Sequence, residues 1–254
     1  MYVAQIKFEK RLELDRDKAS DAINGLLSAL RMNGQVCGRE VAVIDTPDYL
    51  MATELIPEFH SLDTNHHNQY VLRDLQILGE LGLSGPSIEV AREMDGHLAC
   101  ECAVPASYIL YTNYLTLESS LWCGDCFHPV PLYRIPPTSG KEYNDIIGWQ
   151  SNYKACDTLQ MLCTQVERTA LRQMSWLDSG LTKDGLDICR RIKEVTQTPT
   201  YYYLYRHYGR SKRDEARRRC PSCQGEWLLA ERWHIFDFRC DRCELLSNIA
   251  VALP

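Results

Sequence analysis

Over the first ninety residues the chain alternates between short apolar runs with strand character and longer stretches with a helical period. Val3 to Phe8 reads as a strand. Lys18 to Met32 puts Ala19, Ala22, Ile23, Leu26, Leu27 and Leu30 on one helical face, with Asp15 or Asp17 placed to cap it. Gly34 and Gly38 interrupt that helix, and Glu40 to Asp45 is a Val-rich strand. Pro47-Asp48 is a turn signal, and Tyr49 to Ile56 returns as a strand. A second helix is expected over Asn68 to Leu81, apolar at Val71, Leu72, Leu75, Leu78 and Leu81, with Ser87 to Glu93 as the last strand. The order βαββαβ predicts a ferredoxin-like α+β unit over residues 1–97.

The texture changes over residues 98–138 to cysteine, proline and aromatic residues flanking the strand-like Tyr108 to Leu115, which predicts a small cysteine-containing β insert. A helical period returns over 139–199. Ile146, Trp149, Tyr153, Cys156, Leu159, Cys163 and Val166 form one stripe, and Leu186 to Val195 forms a further helix that ends before Pro199. The last block, 200–254, consists of an aromatic strand, a basic segment and a hairpin bounded by cysteines.

Cysteine spacing changes this picture most. Cys220-Pro-Ser-Cys223 is followed after sixteen residues by Cys240-Asp-Arg-Cys243. Two CxxC turns facing each other across a β-ribbon bring four thiolates to one point, the closed tetrahedron that structural zinc prefers. Such a site leaves no position for a reacting water, so its expected role is structural. Cys100-Glu-Cys102 and Cys123-Gly-Asp-Cys126, separated by twenty residues, form a second candidate set with a less common CxC pair. The reading of the insert favours a second zinc there; free buried thiols are the alternative. A redox pair at Cys123 and Cys126 would need a helix, and Pro129, Pro131, Pro136 and Pro137 oppose one. His128 could substitute for a sulfur ligand. Cys37, Cys156, Cys163 and Cys189 stand singly beside apolar patterns and are expected in the core. His60, His66 and His67 have no third ligand at fixed spacing and are expected at the surface.

Charge separates the two ends of the chain. Residues 1–199 carry 18 Lys and Arg against 27 Asp and Glu, a net of −9, whereas residues 200–254 carry 10 against 7, a net of +3. The basic excess lies in Arg206, Arg210, Lys212, Arg213, Arg217, Arg218 and Arg219, where a polyanion would dock first. Tyr201 to Tyr208 precedes it. As a strand, this segment puts Tyr203 and Tyr205 on one face, available either to stack on bases or to pack inside the protein. No stretch of about 18 apolar residues occurs, and the charged N-terminus lacks the apolar core of a signal peptide, so a cytoplasmic location without membrane insertion is expected. Motifs for phosphate loops, nucleotide binding or hydrolytic nucleophiles do not occur, and no enzymatic activity is expected.

The run Pro199 to Arg206, the ribbon Cys220 to Cys243 with Leu246-Ser-Asn248 after it, and Cys123-Gly-Asp-Cys126 continuing to Tyr133 resemble an uncharacterised bacterial family described as zinc-ribbon-containing, for which nucleic-acid binding has been suggested. The resemblance implies zinc at the ribbon. Two functions follow as expectations: a zinc protein contacting nucleic acid through its basic C-terminal ribbon or, as the alternative, a protein-binding adaptor or immunity protein inhibiting a toxin through the acidic N-terminal part.

Overall fold

The structure is a computed structural model that describes the chain except for residues 11–14, 39–41, 95, 97, 163–164 and 254. Two compact units emerge. The first comprises residues 1–100, 117–119 and 129–144, and the second residues 101–116, 120–128 and 145–254.

In the first unit the elements are β1 (Tyr2–Glu9), α1 (Arg16–Met32), β2 (Val43–Asp45), β3 (Tyr49–Ile56), α2 (Gln69–Glu80) and β4 (Ser87–Glu93). They form an antiparallel sheet of order β2-β3-β1-β4, the strand order of a split βαββαβ unit. Alternation in β1 and β3 turns Ala4, Ile6 and Phe8, and Leu50, Ala52 and Ile56, into one core with Ile23, Leu26 and Leu30 of α1 and Val71 and Leu78 of α2. Asp15 is the residue that caps α1, accepting a hydrogen bond from the Lys18 amide. Asn68 caps α2 by accepting from the amides of Tyr70 and Val71, both at 3.0 Å. Leu72, expected on the apolar face of α2, is exposed. Of the strand expected over 40–45 only Val43–Asp45 is formed among the described residues, Glu40 and Val41 lying outside them. His66 and His67 are half-buried rather than superficial: the His66 ring lies 4.5 Å from that of Tyr133, and burial lowers the pKa of His67.

Glu54 occupies a core-facing position of β3, 3% exposed, and its Oε1 has no hydrogen-bond partner among the described residues. Burial pushes its pKa up to about 7, against a downward pull from Arg31. The folded chain therefore keeps a proton that the unfolded chain has lost, so this contribution is fully present below pH 4.5 and is lost as pH rises through 7. Glu54→Gln should match the wild type at pH 4.5 and exceed it by up to about 3 kcal/mol by pH 8, since a carboxyl that titrates one pH unit higher when folded forfeits about 1.4 kcal/mol. Hydrogen exchange of the β3 amides across this range would read the difference. A constant offset between the two proteins would contradict the assignment.

The second unit is built on a six-stranded mixed sheet of order β6-β5-β7-β10-β9-β8. Its strands are β5 (Tyr108–Leu110), β6 (Leu121–Cys123), β7 (Thr200–Leu204), β8 (Leu228–Trp233), β9 (Phe236–Cys240) and β10 (Leu245–Ser247). The β strands of residues 98–138 and those of residues 200–254 thus share one sheet, because β7 pairs in parallel with β5 on one side and with β10 on the other. The helices are α3 (Asn144–Leu162), α4 (Glu167–Ser175), α5 (Gly180–Thr196) and the five-residue α6 (Lys212–Ala216). α5 lies against β7 at Gly185, where a Cβ would come within 2.1 Å of the Tyr202 ring and 2.8 Å of the Trp149 indole nitrogen; only glycine permits that approach. The expected stripe on α3 holds for Ile146, Trp149 and Tyr153. It fails at Leu159, which is exposed inside α3 while its neighbour Gln160 is buried, and at Val166, which is exposed because α3 ends at Leu162 and Val166 stands at the start of α4. Cys163 lies outside the described residues. Of the other isolated thiols, Cys189 is buried and Cys37 and Cys156 are half-buried.

Candidate metal centres and basic segment

The thiols of Cys220, Cys223, Cys240 and Cys243 all lie within 4.8 Å of one another, and those of Cys223 and Cys240 are 3.6 Å apart. A tetrahedron with zinc–sulfur bonds of about 2.3 Å has edges of about 3.8 Å, so these thiols already stand near ligand spacing. The hairpin β8–β9 carries Cys240 at its far end, while Cys220 and Cys223 come from the turn before it. Within that turn the Cys220 amide donates to the Gly225 carbonyl at 3.0 Å, and the Gln224 amide donates to the Cys220 carbonyl at 2.9 Å.

Cys100, Cys102, Cys123 and Cys126 form a second group, whose thiols likewise lie within 4.8 Å of one another. Cys123-Gly-Asp-Cys126 folds as the first ribbon turn does: the Phe127 amide donates to the Cys123 carbonyl at 3.0 Å, as Gln224 does to Cys220. The residue directly after each of the three CxxC pairs has a left-handed backbone, with φ of 55° at Phe127, 59° at Gln224 and 52° at Glu244. Spacing alone does not reveal this shared turn, since none of the three is glycine or asparagine, the types that adopt that conformation most readily. Gly124 is required for a different reason: a Cβ there would lie 2.0 Å from Ser107 Oγ and 3.0 Å from the Trp233 ring. His128 is not part of the group; its carbonyl accepts from the Cys123 amide.

The ribbon's own turn braces this second group. His234, at the tip between β8 and β9, stacks on Phe127 with ring centroids 4.8 Å apart and planes at 10°. Its Nε2 is 2.7 Å from the Gly124 carbonyl, and a carbonyl only accepts, so Nε2 carries the proton.

Without an ion the ribbon thiols titrate apart. The Gly225 amide, helped by neighbouring thiols, holds Cys223 down to about 7, while burial pushes Cys240 up to about 12. Four thiolates cannot share so small a space uncompensated, so a fully ionised set calls for a cation. A closed four-sulfur site suits zinc, or iron in a similar tetrahedron. The donor chemistry and spacing of both groups fit such an ion.

The basic segment divides into inward and outward residues. Glu215, 2% exposed, is the anchor: it takes Arg206 at 2.9 Å and Arg218 at 3.5 Å and accepts from the Ala250 amide at 3.2 Å. Arg218 also donates to the Asn248 carbonyl at 2.8 Å and to Ser247 Oγ at 3.1 Å, with its guanidinium 4.9 Å from the Trp227 ring and 4.2 Å from that of Phe238. Burial lowers its pKa to about 10. Arg206 and Arg218 are therefore spent on the fold. Tyr203 is buried as well, its hydroxyl donating to Asn248 at 2.9 Å, and so offers no face to a base; Tyr205 is half-buried and bonded to His207. Every residue of β7 is buried, which accounts for Tyr203; Tyr205 lies one residue beyond the strand. Arg210, Lys212, Arg213, Arg217 and Arg219 stay exposed, Arg219 in an ion pair with Glu226 at 2.8 Å.

A Haemophilus influenzae protein named "Uncharacterized protein" is 34% identical over 257 aligned residues, which cover 98% of both chains. The chain belongs to that protein's family. Another Haemophilus influenzae protein of the same name is 38% identical over 63% of this chain and 80% of its own length. Three domains of unknown function match in succession: DUF8589 over residues 1–92, DUF2310 over 102–205 and DUF8594 over 209–253. Among solved structures, a Deinococcus radiodurans protein provisionally named an antibiotic biosynthesis monooxygenase aligns over 38% of this chain and 95% of its own, at 13% identity and a TM-score of 0.28. No helix among the described residues is long and apolar enough to cross a membrane.

Proposed function

We propose that this is a non-enzymatic zinc protein in which two four-thiolate centres serve as structural braces and an exposed basic surface contacts nucleic acid. The observation that carries the reading is the pair of tetracysteine groups, each drawn together within 4.8 Å and one directly preceded by the basic segment. Zinc at the ribbon would be held by Cys220, Cys223, Cys240 and Cys243, and at the second centre by Cys100, Cys102, Cys123 and Cys126. Its contribution there is structural, since four sulfur ligands close the coordination sphere. A reducing compartment such as the cytoplasm would keep these thiols available. Binding to nucleic acid would run through Arg210, Lys212, Arg213, Arg217 and Arg219 without help from Tyr203.

Fluorescence anisotropy of labelled single-stranded and duplex oligonucleotides tests this reading. Five phosphate contacts predict a slope of log K against log salt of about −3 to −4 for single strands. The triple variant Arg210→Ala, Lys212→Ala, Arg213→Ala should bind more weakly, with a shallower slope. Absence of binding to any DNA or RNA at low salt would end the reading, and a stoichiometric co-purifying protein would favour the adaptor or immunity function instead.

A further inference from the structure

Beside the first ribbon turn lies a groove of about 320 Å³, lined by Arg217, Arg218, Arg219, Glu226, Trp227 and Leu228 among others. Its two walls are the chain segments that immediately precede Cys220 and follow Cys223. The Cys220–Gly225 hydrogen bond closes the turn between them, so the cysteine knuckle sets how far apart the walls stand. The floor is fixed. Trp227 is 3% exposed and its indole N–H is already given to the Arg218 carbonyl at 2.9 Å, while Arg218 is held by Glu215, Ser247 and Asn248.

What remains for a ligand is the rim. Arg217 is exposed, and Arg219 is paired among the described residues with Glu226, whose side chain is 83% exposed. An exposed ion pair of this kind contributes about 0–1 kcal/mol, so an incoming anion displaces it readily. The volume sits at the lower end of small-molecule sites, about 300–1,000 Å³, enough for one nucleotide-sized unit and too little for a duplex. Trp227 is the aromatic residue of the lining, and because it is buried the groove has no stacking surface for a base.

We infer that this groove is a phosphate subsite: it takes one phosphate of a phosphate chain between Arg217 and Arg219, and it does so without reading bases. The inference rests on the nucleic-acid reading for its biological ligand, but the chemistry is shared by polynucleotides and inorganic polyphosphate. Arginine suits it because its planar fork binds two phosphate oxygens at once.

The test uses the full metal-loaded chain with two probes, fluorescein-labelled (dT)12 or (dA)12 by anisotropy and inorganic tripolyphosphate by calorimetry. For the wild type, (dT)12 and (dA)12 should bind within about threefold of each other. In Arg217→Ala/Arg219→Ala, affinity for both oligonucleotides should fall about 10- to 100-fold and the salt slope should lessen by about 1.4, two contacts at about 0.7 each. Zinc content and circular dichroism should be unchanged, since both side chains are exposed. Oligonucleotide binding that is equal in the double variant and the wild type overturns the groove and leaves the nucleic-acid reading standing. Tripolyphosphate binding that is lost in the double variant, with no oligonucleotide binding by the wild type, upholds the groove and removes the nucleic-acid reading. A strong preference for one base, or failure of both probes, overturns the subsite.

Discussion

Cys240→Ser is expected to lower the zinc content from two equivalents to one and to open the C-terminal ribbon to protease, leaving the βαββαβ core of the first unit folded. Cys240 closes β9, which pairs with both β8 and β10, and β8 contributes little burial of its own: Leu228 is exposed, as are Ala230, Glu231 and Arg232. Structural zinc supplies about 10–16 kcal/mol in isolated finger peptides, comparable to the whole stability of a typical domain, about 5–15 kcal/mol. Losing it should therefore unfold β8 to β10 rather than loosen them. The first unit has a separate apolar core and should keep its protection in hydrogen exchange. Trypsin, with arginines at 217, 218, 219, 232, 239 and 242 to attack, followed by mass spectrometry, would locate the cleavage. Full zinc content in this variant would refute the assignment of Cys240 as a ligand.

The second large effect is expected from Cys123→Ser combined with Cys126→Ser. Zinc should again fall by one equivalent, this time with the ribbon metal retained. Release of the knuckle should free Phe127 from its left-handed turn and break the His234 stack and its hydrogen bond to Gly124, which nuclear magnetic resonance of the His234 ring would detect. The destabilisation should be several kcal/mol, as when any structural metal is removed from the sheet it braces. Zinc content equal to that of the wild type would reduce these thiols to ordinary packing groups.

The parts of this architecture that were legible in the sequence are those governed by local rules. Alternation in β1 and β3, the stripe of α1 and the cysteine spacing each depend on neighbours close in the chain, and each appears where periodicity placed it. Sheet membership was not legible. That β7 joins the strands of residues 98–138 to those of 200–254 depends on parallel pairing between segments about ninety and about forty residues apart, for which no local signal exists. The same lack hid the fate of the tyrosines: period-two alternation puts Tyr203 on a face but cannot say whether that face is covered. Arg206 and Arg218 carried the formal charge of a docking surface, yet one buried carboxylate, Glu215, claims both. A partial clue was available, because Glu215 and Arg218 stand three apart, the spacing at which side chains meet across a helical turn. The left-handed residues after the CxxC pairs gave no clue, since Phe127, Gln224 and Glu244 share no chemistry.

If both tetracysteine groups hold zinc, the metal content of the purified chain must show it. Elemental analysis by inductively coupled plasma mass spectrometry, on protein purified without added metal or chelator, should find two zinc atoms per chain and eight thiols that become reactive only after chelation. A chain free of zinc, or one carrying iron in its place, would contradict the account.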